Sequence, residues 1–447
     1  MKINNIQKKF FQNLLNVLIP IIIQMSVFNL SDIFDMIIVG KFNDFTINGF
    51  FISRKIIAID LTIICALCAG AAIFFAQVKK NNIKLLDNIL LKSALIILLI
   101  NFIFLLIIKL YGRNIICFST NDNNVIEVGC TYLSKICITL IPNSFSILFG
   151  QFFQCKGYIK HSLVINAIGT ILNILLNYCL GFGYLFFPKL GYMGVIYATI
   201  FTRLLTFFLL FILFLYVHNK IKGEQQEFVL EKIDNNIFLK TIFPIILQNA
   251  FWFISSALYT ILYGKLGTEI LSAYSTFLTI AGIYEIFLNS NATAASIVLG
   301  NLQGEDKKDE LYAFAKFFLS FTIFISILSI ILIIIFKSSI ISYFNISINA
   351  KASLWNLLFI GNLFMIPKAL NILFGAGIFR SGGDTKIPMI LDFVGCWIYS
   401  LPLVLFFVTK TNLKIEFIVL LSSFEEIFKM CIFIRKFLQK TWIKKLV

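Results

Sequence analysis

Asp32 and Asp35 stand three residues apart inside a long apolar run near the start of the chain. On a helix, that spacing puts both carboxyls on neighbouring positions of one face. A charge deep in a membrane costs about 2.5–3.5 kcal/mol, so a carboxyl kept there pairs, lines water or serves a function. Asn173 and Asn177 lie one helical turn apart in a later apolar run, and Thr199 follows in the next. An amide oxygen can accept a bond from a protonated carboxyl or ligate Na⁺, but it cannot itself titrate. Asp35, Asn173, Asn177 and Thr199, with Asp32 beside them, are therefore candidates for a coupling-ion site. It would take H⁺, or Na⁺ at Asp35, Asn173 and Asn177. The competing reading of the amides is hydrogen bonding that only packs spans together. For Asp32 it is contact with the outer water.

Glu285 and Lys368 also fall inside apolar runs, as a structural pair or as substrate contacts. Glu425 and Lys429 have the favourable i, i+4 order and should satisfy one another. Arg54, Lys55, Asp60, Glu127, Lys135 and Arg203 carry no assigned role; long side chains among them can snorkel to an interface. Phe28, Trp252, Phe253 and Tyr259 occupy matched runs of the two halves. Aromatic faces attract organic cations, by about 2 kcal/mol or more when desolvated. These four, with Glu285 and Lys368, are the expected substrate-cavity residues. Nothing supports covalent chemistry. His161 and His218 lie at helix ends, and no phosphate-binding loop occurs. Cys65-x-x-Cys68 has no second ligand pair for zinc. The reading is a protein that is no enzyme, uses no cofactor and draws its energy from an ion gradient.

The elements that must hold these residues follow from composition. Of 447 residues, 59% are hydrophobic and 13% charged, and mean hydropathy is +0.91. A soluble chain is nearer half apolar and a quarter charged. That excludes a soluble enzyme, a disordered regulator and a secreted disulfide scaffold. Runs of about 20 apolar residues can cross a bilayer. Twelve such runs occur, at 13–40, 46–76, 89–110, 125–153, 161–185, 192–217, 237–264, 269–300, 313–337, 351–377, 387–408 and 415–436. No alternating pattern of a barrel appears, so all are read as helices. The net charge of +16 sits mainly between the runs, which argues for topogenic charge rather than nucleic acid. With the N-terminus inside, Lys and Arg divide 22 to 9 in favour of the cytoplasm. Both termini are then expected there, in a multi-pass protein of the cell membrane.

The chain also repeats. Pro20-Ile-Ile-Ile-Gln24 matches Pro244-Ile-Ile-Leu-Gln248 at an offset of 224, and Ile147-Leu-Phe-Gly150 matches Ile372-Leu-Phe-Gly375 at 225. Gly157-x-x-Lys160 matches Gly383-x-x-Lys386 at 226. A polar stretch separates the halves. The expected organisation is an N-lobe at 1–217, a cytoplasmic linker at 218–236 and a C-lobe at 237–447. Each lobe has an even number of spans, so the repeats share one orientation. The fold class is all-α: an integral membrane protein with twelve transmembrane helices in two pseudo-symmetric six-helix lobes. Pro20 is placed to let the first span bend.

These residues together resemble the multidrug and toxic compound extrusion (MATE) family over essentially the full length. Pro20-Ile-Ile-Ile-Gln24 followed by Asp35-Met-Ile-Ile-Val-Gly40 is similar to its first-span pattern. Asn173-Ile-Leu-Leu-Asn177-Tyr178, Leu190-Gly191-x-x-Gly194 and Ala198-Thr199 look like its fifth and sixth spans. Arg380-Ser-Gly-Gly-Asp384-Thr-Lys-Ile-Pro388 looks like the loop before its eleventh. The resemblance implies a monomeric secondary antiporter that exports amphiphilic, usually cationic, organic compounds in exchange for H⁺ or Na⁺. Its partners are small organic substrates, the coupling cation and the lipid bilayer, and not nucleic acid. Two departures stand out. The family usually has aspartate where this chain has Asn177, and its best-known branch has carboxylates in spans seven and ten, where this chain has none. The rival reading is a flippase for lipid-linked precursors of the same superfamily, for which Lys135, Arg203 and Lys368 would bind phosphate.

Overall fold

The computed structural model describes residues 12, 14–78, 82–184, 187–223, 232–344, 346–411, 413–444 and 446, without the side chains of residues 14, 15, 29, 32, 308 and 309. The N-terminal lysines, Lys79, Lys80 and linker residues 224–231 therefore lie outside the described residues, as does the side chain of Asp32. All regular elements among the described residues are helical. The chain divides into two compact units. One is Ile19–Asp234; the other contains Asn235–Val447 and the described part of the N-terminal stretch up to Leu18.

The first unit holds α1 (Ile19–Val39), α2 (Asp44–Gln77), α3 (Ile83–Ser119), α4 (Asn123–Ile136), α5 (Leu140–Lys156), α6 (Ile159–Phe182) and α7 (Tyr192–Gly223). A 3₁₀ turn at Cys137–Thr139 joins α4 to α5, so the two make one span, Asn123–Lys156. Polar side chains set several ends. Asn82 accepts from the Leu85 amide at 3.2 Å before α3, and Asp122 accepts from the Asn124 amide at 2.9 Å before α4. Such caps satisfy amides that have no partner within the helix. The helices run past the apolar stretches: α3 has 37 residues, where the apolar run covers only 89–110. At the start of α3 the capping Asn82, rather than the edge of the apolar run, marks where the helix begins.

The second unit holds α8 (Asn235–Gly264), α9 (Thr268–Gly304), α10 (Lys308–Ile335), α11 (Lys337–Tyr343), α12 (Ile348–Leu363), α13 (Met365–Ile372), α14 (Lys386–Phe393), α15 (Leu401–Lys410) and α16 (Ile415–Leu438). A π-helical segment, Leu373–Phe379, continues α13, and another, Val394–Ser400, joins α14 to α15. Among the described residues, ten helices are long and apolar enough to cross a membrane. An eleventh span is Ile348–Leu363 with Met365–Phe379, bent by 55°. The bend falls just before Pro367, whose ring cannot continue the preceding helical turn without clash. The twelfth, α16, has 24 residues but carries Glu425, Glu426 and Lys429 along its length.

The turn between α6 and α7 explains one motif. Gly183 and Gly191 both have positive φ, at +80° and +62°. The Leu190 amide donates to the Leu180 carbonyl at 2.9 Å, and α7 starts so close to that carbonyl that a Cβ on Gly194 would lie 2.3 Å from its oxygen. Backbone cannot step aside as a flexible side chain can. Gly194→Ala is expected to destabilise by about 1–3 kcal/mol, the usual cost of overpacking. Gly150→Ala, where nothing lies within 4 Å of the added carbon, is the control. Thermal unfolding in detergent checks both, and equal midpoints would refute the close-packing argument.

Candidate functional site in the first unit

Inside the first unit, α1, α2, α4, α5, α6 and α7 line a cavity of about 310 Å³. The α1 helix brings Asp35 to it, buried at 7% exposure. Asn177, on α6 and wholly buried, donates its Nδ2 to Asp35 Oδ1 at 2.6 Å. The same Nδ2 reaches Asn173 Oδ1 at 3.2 Å. Asn173 passes the chain on, donating to Thr202 Oγ1 at 3.2 Å and to Thr199 Oγ1 at 3.5 Å. Both hydroxyls donate to backbone carbonyls one turn back on α7, Thr199 to Val195 and Thr202 to Ala198, at 2.9 Å each. The structure thus brings together Asp35, Asn173, Asn177 and Thr199. Asn177 Oδ1 is buried without a hydrogen-bond partner. A neutral amide oxygen left so is costly, by about 1–3 kcal/mol. It marks a place where the network can rearrange.

Two participants were not singled out in the sequence. Arg54 on α2 puts Nη1 3.5 Å from Asp35 Oδ2, and Thr202 extends the amide chain. Arg54 had a usable signal: a guanidinium in an apolar run needs a partner, and few carboxyls share its half. Farther along the cavity wall, Gln154 Nε2 donates to Gln24 Oε1 at 3.2 Å. Phe28 lines the cavity and is 55% exposed. Asn166 also lines it, and donates to the Ser162 carbonyl at 2.9 Å. Pro20 is buried as the second residue of α1, directly after the π-helical segment Leu14–Leu18.

The second unit holds a different polar cluster. Lys429 on α16 faces three carboxylates: Glu426 at 3.3 Å, Asp392 at 3.4 Å and Glu425 at 3.6 Å. Asp392 accepts from Gln248 Nε2 at 2.5 Å, and Glu426 from Asn371 Nδ2 at 2.7 Å. Glu425 has an oxygen, Oε2, with no hydrogen-bond partner; it lies 3.2 Å from where a Cβ on Gly395 would stand. The expected Glu425–Lys429 pair is present, then, but as one edge of a larger cluster. Lys368 Nζ meets Glu285 Oε1 at 2.5 Å, so those two form an ion pair. Tyr259 is bound within the unit, its hydroxyl donating to Ser400 Oγ at 2.8 Å. Phe253 is partly buried, and Trp252 is 65% exposed on α8. Among the described residues, no group of three His, Cys, Asp or Glu is arranged to hold a metal ion.

A family model described as MatE matches residues 20–179 and 244–406. The chain is similar to "Probable multidrug resistance protein NorM" of Bacillus cereus, 23% identical over 401 residues, covering 88% of this chain and 87% of that one. It is 24% identical to the protein of the same name from Listeria innocua, covering 88% of this chain and 86% of the relative. Among solved structures, it superposes on the outward-facing conformation of a multidrug resistance MATE family transporter of the MOP superfamily. There the TM-score is 0.81 at 16% identity, with 96% of each chain covered. On a MATE in the bent conformation the TM-score is also 0.81, at 17% identity over 97% of each chain.

Proposed function

The chain belongs to the MatE family, and from that premise we propose that it is a secondary antiporter for multidrug efflux, moving amphiphilic organic compounds out of the cell against a flow of protons through Asp35. It would work as a monomer in the cell membrane with both termini in the cytoplasm. The observation that carries the reading is the Asp35 carboxylate, buried between the Asn177 amide at 2.6 Å and the Arg54 guanidinium at 3.5 Å.

In its charged form, Asp35 accepts from Asn177 and is neutralised by Arg54. A proton on Asp35 removes that charge and weakens the attraction to Arg54. The carboxyl then carries an O–H donor, and Asn177 can turn its amide to accept it through Oδ1, the atom that has no partner. The two protonation states therefore favour two hydrogen-bond arrangements between α1 and α6. A ligand shifts a conformational equilibrium only through such a difference in affinity. A bend of the first span at Pro20 would carry the change along the helix.

A proton suits these groups better than Na⁺. A hard cation wants several oxygen ligands, whereas Asp35 faces N–H donors from Asn177 and a permanent cation from Arg54. Efflux from proteoliposomes under a proton gradient or a Na⁺ gradient, imposed one at a time, tests this. Transport is expected with the proton gradient alone. Transport driven by Na⁺ at uniform pH would reverse the ion assignment.

A further inference from the structure

We propose that Arg203 seats a carboxylate of the transported molecule, so that the first-unit cavity favours amphiphiles bearing one such group, zwitterions included. This rests on the efflux function proposed above and narrows its substrate class.

Arg203 lies on α7, the twelfth of its 32 residues, and lines the cavity, partly buried. Its Nη1 donates to Thr139 Oγ1 at 3.3 Å, a hydroxyl that itself donates to the Ile136 carbonyl at 2.7 Å. That is its partner among the described residues, and no carboxylate stands within ion-pair reach of it. Asp35 is engaged by Arg54. Asp60, buried on α2 with an oxygen lacking any hydrogen bond, makes no ion pair among the described residues either. A guanidinium inside a membrane-spanning unit with one neutral partner keeps most of its five donors for something else.

The internal repeat supplies a comparison within the same chain. At an offset of 226, Arg203 corresponds to Lys429, and Asn166, Thr199 and Ile200 correspond to Asp392, Glu425 and Glu426. Lys429 has all three of those carboxylates around it. In the first half, the same three positions hold side chains that cannot carry charge. Both halves keep a basic residue at the matching place, but only the second neutralises it internally. The first leaves its cation facing a cavity.

The chemistry of the partner follows. A guanidinium is a planar fork that matches a carboxylate with two parallel bonds. One unmatched positive charge calls for one negative charge. A pyrophosphate would need more, and the other interior basic residues do not supply it: Arg54, which lines the same cavity, is engaged by Asp35. Lys135 donates to the Tyr197 hydroxyl at 3.2 Å and does not line the cavity, while Lys368 is held by Glu285. The cavity, at about 310 Å³, falls at the lower end of small-molecule sites.

Two dyes that differ at this one group provide the test. Rhodamine 110 has a free carboxylate, and rhodamine 123 is its methyl ester. Binding to the full chain in nanodiscs and efflux from proteoliposomes are measured for both. The wild type is expected to bind the acid about tenfold more tightly than the ester, as a charge-assisted bidentate pair allows. Arg203→Gln should bring that ratio to about one or invert it, and Arg203→Lys should keep its sign at a smaller size. Equal affinities in the wild type, or a ratio that Arg203→Gln leaves intact, would overturn the proposal. If Arg203→Gln does not fold, the wild-type ratio and the lysine variant decide it alone. Efflux of both dyes without preference sinks the carboxylate seat and leaves the transporter reading standing. Efflux of neither removes both.

Discussion

Asp35→Asn is expected to bring gradient-driven efflux down to the level of protein-free vesicles. An amide keeps the shape of the carboxyl but cannot alternate between charged and neutral forms, and the two arrangements of the Asn177 amide would lose their switch. The variant also strips Arg54 of the oxygen it faces at 3.5 Å. A stray cation alone could lower activity, so the double variant Asp35→Asn with Arg54→Gln separates the causes. Efflux should stay absent in the double variant, while substrate binding remains measurable in both. Recovery of efflux on removing Arg54 would show that Asp35 only neutralises Arg54 and takes no part in coupling. Asn177→Asp gives the complementary result. A second carboxylate beside Asp35 should strengthen an oxygen site for a hard cation, and the variant should gain a dependence on Na⁺.

Lys429→Met is expected to destabilise the second unit by about 3–5 kcal/mol, the cost of breaking a buried ion pair from one side. Lys429 is 6% exposed, and it is the one basic group in ion-pair contact with Asp392, Glu425 and Glu426 among the described residues. Without it, the largely buried Glu425 and Glu426 and the more accessible Asp392 are left crowded together with no cation between them. Adding Glu425→Gln and Glu426→Gln to the same chain should restore most of the loss, since amides can remain there uncharged. Unfolding midpoints of the purified variants in detergent give the readout. A midpoint unchanged in Lys429→Met would mean that the carboxylates are already neutral and that Lys429 does not hold the cluster.

How far each feature was legible in sequence depended on its range. The apolar runs specify helices because lipid leaves a backbone no other way to satisfy its polar groups. Gly191 stands in a motif that carries the family resemblance, but the positive φ that it and Gly183 adopt, which suits few other residues, is a feature of the folded turn. The group Asp35, Asn173, Asn177 and Thr199 was readable because polar residues in lipid must find one another and only a few were available. The helix ends were not: α3 runs well past its apolar core on the strength of a local cap at Asn82.

Which ionisable groups meet, and with what charge left over, only the tertiary structure decided. Glu425 and Lys429 could be paired from their i, i+4 spacing, whereas Asp392 is 37 positions from Lys429 and reaches it only when α14 packs near α16. Arg54 meets Asp35 across two helices that the sequence does not order in space. Arg203 and Lys429 sit at matching places in a duplicated chain. One is enclosed by carboxylates and the other opens on a cavity. Electrostatic pairing acts over a few ångströms, and a sequence records distance only along the chain, so the balance of charge at each place exists only once the helices have packed.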